Sequence, residues 1–167
     1  MLTEERAEEL ARQLAALLTE RRLTLALAES CTAGLVADLM ARISGASAVL
    51  WGSFVCYTPD AKQRMLGLKD DFLRQYGLVS RETAREMALH ARELTGTPIA
   101  AAVTGIAGPL GDGSGTPVGT VWTAADWGGN CREKEWLFQG GRSEIRMQAA
   151  AAVLEELLEV LDCLRGA

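Results

Sequence analysis

Long hydrophobic runs are absent from this sequence of 167 residues. Apolar stretches such as residues 100–103 and 149–154 are far shorter than the roughly 20 residues that span a bilayer. The N-terminus, MLTEERAEEL, is acidic and amphipathic, whereas a secretory signal begins with basic residues and continues with an apolar stretch. We therefore expect a cytoplasmic protein with no transmembrane helix and no role at a membrane.

Histidine and cysteine are scarce. His90 is the only histidine, and it shares a face of a predicted helix with Thr83 and Met87, which favours a packing role. The four cysteines are widely scattered. This pattern disfavours a zinc site and a disulfide framework. It also disfavours hydrolase mechanisms that depend on histidine or a metal.

Positive charge is in short supply as well. The net charge is -5 and the pI is near 5.0, which argues against a general binder of nucleic acids or anionic membranes. The apolar content of 49% is that of a globular protein. The length predicts one domain with a single core, residues 1–167.

Apolar periodicity predicts helices that alternate with short strands. The predicted helices are residues 4–21, 32–43, 61–66, 81–94 and 143–164, and the predicted strands are residues 23–28, 49–57, 99–103, 118–125 and 135–138. The turn Gly128-Gly129-Asn130 joins the last two strands as a hairpin. This order predicts an α/β fold, a single layered domain with a mixed sheet flanked by helices.

The segment LALAESCTAGLV, residues 25–36, passes from a buried strand into a helix through a polar joint. Backbone amides and the positive end of the helix dipole face outward from such a joint. Ser30 is therefore a candidate nucleophile, although Ser30 or Thr32 as a simple helix cap is the alternative. Candidate bases in place of histidine are Tyr57 and Lys62, for which a packed tyrosine and a solvated lysine are the alternatives.

Residues 105–119 hold six of the 17 glycines, which predicts a loop that turns tightly or approaches a ligand closely. The first part of this loop, residues 105–108, follows a buried strand, where main-chain amides can converge on an anion such as phosphate. Arg142 stands at the start of the last predicted helix. It is a candidate clamp for phosphate or carboxylate, with an ordinary surface arginine as the alternative.

Three motifs occur in order along the chain. They are AESCTAG at residues 28–34, FVCY at residues 54–57 with Lys62, and GIAGP at residues 105–109 with PVGTV at residues 117–121. In sequence and spacing they resemble the CinA C-terminal domain family over residues 5–164. Members of that family include nicotinamide-nucleotide amidases (PncC type), which hydrolyse nicotinamide mononucleotide to nicotinate mononucleotide and ammonia.

The resemblance implies a role for each matching residue. Ser30 matches the nucleophile, and Tyr57 and Lys62 match the residues that activate it, while Arg142 matches an arginine that meets the substrate phosphate. The other residues implied beside the substrate are Cys31, Thr32, Thr104, Gly105, Ile106, Ala107 and Gly108. The resemblance also implies an amidohydrolase without metal or organic cofactor, a pyridine nucleotide as substrate, and a homodimer.

The sequence departs from the family pattern at two places, and it offers an alternative nucleophile. Ala33 stands where the family often has glycine, and its methyl group would narrow the site if it pointed toward the substrate. The loop at residues 110–116 is unusual in length and composition. Cys31 is an alternative nucleophile, because a thiol at a helix N-terminus can be acidic.

The alternative functions belong to other classes. One is a nucleotide-binding or regulatory module without turnover, and the other is an interaction domain that works through a partner protein. Because the chain begins at its first predicted helix, we expect the stand-alone form of the family, without the additional N-terminal domain that some members carry.

Overall fold

The computed structural model describes residues 3–164. These residues form the helices α1 (Glu4–Arg21), α2 (Leu35–Ala41), α3 (Pro59–Leu66), α4 (Asp70–Tyr76), α5 (Arg81–Thr95) and α6 (Arg142–Cys163). The strands are β1 (Leu25–Glu29), β2 (Leu50–Val55), β3 (Ile99–Gly105), β4 (Thr120–Asp126) and β5 (Cys131–Leu137). The predicted domain, residues 1–167, extends at both ends beyond the described residues.

The five strands form one mixed sheet in the order β2-β1-β3-β4-β5. β1 pairs in parallel with β2 and with β3, whereas β4 is antiparallel to both β3 and β5. The predicted α/β fold with a mixed sheet is therefore confirmed. Because β1 and β3 are parallel neighbours, their carboxyl ends lie side by side, with Glu29 opposite Val103. In sheets of this kind, ligands bind beyond the carboxyl ends of parallel strands.

Small side chains in the central strands allow helices to cover both faces of the sheet. One face presents Ala26, Ala28, Ala100 and Ala102, which pack with residues of α3, α4 and α5. The other face presents Leu25, Leu27, Ala101 and Val103, which pack with residues of α1, α2 and α6. Both faces are therefore closed, and a reactive side chain on these strands reaches solvent only at a strand end.

Three elements differ most from the sequence prediction, and the bounds of most others are shifted by one or two residues. α4 has no counterpart among the predicted helices, because it is only seven residues long and Leu73 is its only buried residue. β5 begins at Cys131 instead of residue 135, because its charged residues give no apolar alternation on this edge strand. α2 begins at Leu35 instead of residue 32, for a reason that lies in the site described below.

No helix within residues 3–164 is both long and apolar enough to cross a membrane.

The long helix α6 lies against the sheet with one of its glutamates buried. Glu156 is 1% exposed, and its Oε1 has no hydrogen-bond partner among the described residues. Burial raises the pKa of Glu156 to about 7. The ionised form of this side chain is therefore unfavourable in the folded protein.

Replacing Glu156 with glutamine should stabilise the protein above neutral pH. An unfolded glutamate has a pKa of about 4.3, so the stability that Glu156 contributes is complete below that pH and is lost as the pH rises through about 7. A glutamine does not ionise. The difference in the free energy of unfolding between Glu156→Gln and wild type should therefore increase in favour of the variant by about 3 kcal/mol from near pH 4 to near pH 9.

Chemical denaturation at several pH values measures this difference. Glu155→Gln is the matched control, because it removes a partly exposed carboxylate from the same helix. It should leave the pH dependence of stability as in wild type. Parallel stability curves for Glu156→Gln and wild type would contradict the assignment.

Candidate active site

An open cavity of about 200 Å³ lies beyond the carboxyl ends of β1 and β3. Every predicted site residue except Thr32 lines this cavity. The structure adds Leu78 and Val79, which the sequence did not indicate, and Leu110, Gly111 and Asp112 from the predicted glycine-rich loop. The fold thus brings together segments that are far apart in sequence, from the turn after β1 to the first residue of α6.

Ser30 and Lys62 are in direct contact in a buried corner of this cavity. The distance from Lys62 Nζ to Ser30 Oγ is 2.8 Å, a normal hydrogen bond. Lys62 is 1% exposed and Ser30 is 7% exposed. Ser30 follows β1 directly, and its amide donates to Val103 O at 3.0 Å, which anchors the turn to β3. A neutral amine at this distance can accept the proton of the serine hydroxyl.

The local sequence of α3 holds Lys62 in place. The side chain of Thr58 accepts a hydrogen bond from Ala61 N at 3.1 Å, and Pro59 begins the helix. Lys62 Nζ also donates to Cys56 O at 2.9 Å. Within residues 3–164, Nζ has no carboxylate among its hydrogen-bond or ion-pair partners. Burial therefore dominates and lowers the pKa of Lys62 below its ordinary value.

The carboxylate of Glu29 organises the turn that follows Ser30. Glu29 is fully buried. Its oxygens accept hydrogen bonds from Thr32 Oγ1 at 2.7 Å and from Gly34 N, Val36 N, Ala37 N and Ser53 Oγ, each at 3.0 Å. The sequence prediction placed the first turn of a helix at residue 32, facing the substrate. Instead, α2 begins at Leu35, because the turn wraps around Glu29 and the first amides of the helix bond to its carboxylate.

Arg146 of α6 holds the same turn through its carbonyl groups. Its guanidinium donates to Cys31 O at 3.0 Å and to Thr32 O at 2.7 Å. The Thr32 side chain is fully buried on Glu29 and does not line the cavity. Cys31 does line it, but burial raises the pKa of its thiol to about 12. The thiol is therefore protonated at neutral pH, which makes it a poor nucleophile.

Thr104 and the glycine loop form another wall of the cavity. Thr104 Oγ1 donates to Leu78 O at 2.8 Å and so ties β3 to the segment before α5. At position 105, a Cβ atom would lie 2.6 Å from the side chain of Val121 and 2.9 Å from Thr120 O. Glycine is therefore required for the loop to leave β3 directly against β4.

Tyr57 and Arg142 form a second pair on the cavity wall, where both side chains are exposed. Arg142 Nη2 donates to Tyr57 Oη at 2.6 Å, and Nη1 donates to Gly108 O at 2.7 Å. The two predicted bases thus have different neighbours. Lys62 contacts Ser30, whereas the hydroxyl of Tyr57 contacts Arg142.

Sequence reasoning did not single out Glu29 and Arg146. The available signal for Glu29 was an acidic residue at the end of an otherwise apolar strand. Arg146 had none, because its contacts join positions more than a hundred residues apart. His90 lies away from the cavity, where its ring contacts Leu66 O and Glu86. Within residues 3–164, no three His, Cys, Asp or Glu side chains are grouped to hold a metal ion.

Ala33 affects the backbone of the turn and not the space in the cavity. Its side chain is exposed and is not part of the cavity wall. Its φ angle is 51°, in the left-handed region that disfavours residues with a Cβ atom. The methyl group therefore strains the turn next to Ser30 and leaves the space in the cavity unchanged.

Ala33→Gly should raise the free energy of unfolding by about 1 kcal/mol, because glycine adopts this conformation without strain. The matched control is Ala37→Gly in α2, where the φ angle is helical and glycine should lower stability by about 1 kcal/mol. Denaturant titration compares both variants with wild type. A loss of stability in Ala33→Gly equal to that in Ala37→Gly would show that the turn is not strained.

Curated proteins of similar sequence carry the same domain as part of longer chains. A CinA-like protein from Citrifermentans bemidjiense is 44% identical over 154 residues, and one from Geobacter metallireducens is 45% identical over 144 residues. The alignments cover 92% and 86% of this chain but 37% and 35% of those proteins. This chain therefore spans little more than a third of their length.

Solved structures match over nearly the whole chain. The competence/damage inducible protein CihA from Agrobacterium tumefaciens is 41% identical, with a TM-score of 0.91 over 97% of this chain and 99% of that one. A CinA superfamily protein from Escherichia coli is 32% identical, with a TM-score of 0.91 over 96% and 94%. The model of the CinA C-terminal domain matches residues 7–161. The chain belongs to the CinA C-terminal domain family.

Proposed function

We propose that this protein is a nicotinamide-nucleotide amidase. It converts nicotinamide mononucleotide and water to nicotinate mononucleotide and ammonia, with Ser30 as the nucleophile. The observation that carries the proposal is the 2.8 Å contact between Lys62 Nζ and Ser30 Oγ in a buried corner of the cavity. A serine needs a base within reach to attack an amide. The lowered pKa of Lys62 suits it to that role.

The reaction proceeds through an acyl-enzyme. Neutral Lys62 accepts the hydroxyl proton of Ser30 as Oγ attacks the carboxamide carbon. The tetrahedral intermediate collapses, the C–N bond breaks, and the nitrogen takes the proton from Lys62 and leaves as ammonia. Water then attacks the acyl carbon and gives a proton to Lys62, which returns it to Ser30 Oγ as nicotinate mononucleotide is released. Lys62 thus accepts and returns one proton in each half-reaction.

Arg142 and the glycine loop hold the substrate phosphate in this account. The guanidinium of Arg142 is exposed on the cavity wall beside residues 105–108. Its planar fork suits a phosphate, and its contact with Tyr57 Oη fixes its direction. Tyr57 therefore orients Arg142, and Lys62 is the base. Anchoring at the phosphate places the amide of a small polar substrate within reach of Ser30.

Ammonia release from nicotinamide mononucleotide tests the proposal, with nicotinamide riboside as the control that lacks the phosphate. The mononucleotide should be turned over, and kcat/KM for the riboside should be lower by about 30-fold or more, as expected for a lost charged hydrogen bond. Arg142→Met should lower kcat/KM for the mononucleotide by a similar factor and leave that for the riboside unchanged.

Other outcomes would redirect the proposal. Equal turnover of both substrates would contradict the proposed binding of the phosphate by Arg142. If nicotinamide mononucleotide raised the Tm of the protein without release of ammonia, the binding module without turnover would replace the amidase.

A further inference from the structure

The fully buried carboxylate that precedes Ser30 accepts hydrogen bonds on both of its oxygens. Charges leave water at low cost only when fully paired or hydrogen-bonded. Glu29 Oε2 accepts three hydrogen bonds and Oε1 accepts two. Glu156 shows the contrast within the same protein, because its Oε1 has no partner among the described residues. The surroundings of Glu29 are thus built for a carboxylate.

The donors to Glu29 come from separate segments of the chain. They belong to the turn after Ser30, to the start of α2 and, through Ser53 Oγ, to β2. The main chain of Glu29 adds a further link, because Glu29 O accepts a hydrogen bond from Cys56 N at 2.9 Å. Cys56 O in turn accepts the 2.9 Å hydrogen bond from Lys62 Nζ. Glu29 is therefore bonded both to the turn that carries Ser30 and to the segment that holds Lys62.

We propose that Glu29 is a positioning residue that sets the distance between Ser30 Oγ and Lys62 Nζ. The inference rests on the proposed function, because this distance matters for catalysis only if Ser30 is the nucleophile. Glu29 is not part of the cavity wall, so it does not touch substrate. It acts by restraining the turn after Ser30 against β2 and the Cys56 segment.

Glu29→Gln is the informative substitution because it preserves size. A glutamine presents an NH₂ group at one end, and each oxygen of Glu29 faces a backbone amide donor as well as a hydroxyl. At least one backbone amide is therefore left facing another donor in either orientation. The turn must shift to relieve this conflict. A displacement of about 1 Å at reacting atoms costs on the order of 100-fold in rate.

The test measures how fast a fluorophosphonate labels Ser30, with the site of labelling identified by peptide mass spectrometry. This reagent reports the reactivity of the serine without requiring the natural substrate. Glu29→Gln should be labelled about 100-fold more slowly than wild type. On nicotinamide mononucleotide, its kcat should fall by a similar factor while KM changes by less than about threefold.

Asp126→Asn is the matched control. It also changes a buried carboxylate to its amide, and Asp126 is paired with Arg92 at the end of β4 far from the cavity. The variant should lose stability but keep the labelling rate of wild type. A merely structural role for Glu29 predicts the same behaviour for Glu29→Gln, namely a lower Tm with labelling unchanged in the folded protein.

Each outcome decides a different point. Labelling of a folded Glu29→Gln at the wild-type rate overturns the positioning role alone. Absence of labelling at Ser30 in wild type overturns the proposed nucleophile, and this inference with it. If Glu29→Gln does not fold, Ser53→Ala removes one donor from the same carboxylate. Its labelling should then be slower by about fivefold, and a wild-type rate overturns the inference.

Discussion

Lys62→Met is expected to lower the rate of amide hydrolysis by about 10³-fold to 10⁴-fold and leave the protein folded. In the proposed mechanism Lys62 is the base that accepts the proton of Ser30, and general base catalysis accounts for a factor of this order. Lys62→Arg should be equally inactive. A guanidinium stays protonated at every pH of interest and cannot accept the proton.

The pH dependence of the proposed reaction is a second test of Lys62 as the base. Because burial lowers the pKa of Lys62, kcat/KM should rise with pH and level off before the pKa of about 10.4 of an ordinary lysine is reached. A rate that is independent of pH, or substantial turnover by Lys62→Met, would contradict the role of Lys62 as the base.

Stability provides a control that does not depend on activity. The pKa of Lys62 is lower in the folded protein than in the unfolded chain, so the unfolded chain binds more protons between these two values. Wild-type stability therefore rises with pH in this window. Methionine does not titrate. The stability of Lys62→Met relative to wild type should be greatest below the folded-state pKa of Lys62. It should decrease as the pH approaches about 10.4, the pKa of an ordinary lysine.

Ser30→Ala should lower turnover by about 10⁴-fold or more, the scale seen when the nucleophile of a serine hydrolase is removed. Substrate binding should persist, because Arg142 and the glycine loop are unchanged, and nicotinamide mononucleotide should still raise the Tm of the variant. Steady-state kinetics and thermal melts with ligand measure the two effects.

Cys31→Ala is the matched control for Ser30→Ala, since it changes the adjacent residue on the same cavity wall. Its turnover should remain close to wild type, because burial keeps the thiol protonated. Loss of turnover in Cys31→Ala together with normal turnover in Ser30→Ala would identify the thiol as the nucleophile instead.

Much of the fold followed from local sequence patterns. Apolar patterns located β1, β3 and β4 to within about two residues at each end, because β1 and β3 are buried on both faces and β4 is nearly so. The patterns failed where tertiary contacts decide the structure. The start of α2 is set by the carboxylate of Glu29, and α4 has too short an apolar pattern to be distinguished from a loop.

The candidate site was predictable as a set of residues but not as a geometry. Ser30 and Lys62 each stand out by residue type near the end of a strand. Their contact spans 32 positions and depends on how α3 returns over the sheet after β2. The pairing of Tyr57 with Arg142 spans 85 positions and had no local signal. Sequence reasoning therefore left two candidate bases. The structure shows that Lys62 contacts Ser30, whereas Tyr57 contacts Arg142.

Whether Ser30 forms an acyl-enzyme is decided by the products that arise from nicotinamide mononucleotide when hydroxylamine competes with water. An acyl-enzyme on Ser30 predicts that wild type releases ammonia and forms both nicotinate mononucleotide and its hydroxamate. The hydroxamate share should rise with hydroxylamine concentration, and Ser30→Ala should form neither product. Failure of the folded wild-type protein to release ammonia would contradict the amidase, and ammonia release without any hydroxamate would contradict the serine acyl-enzyme.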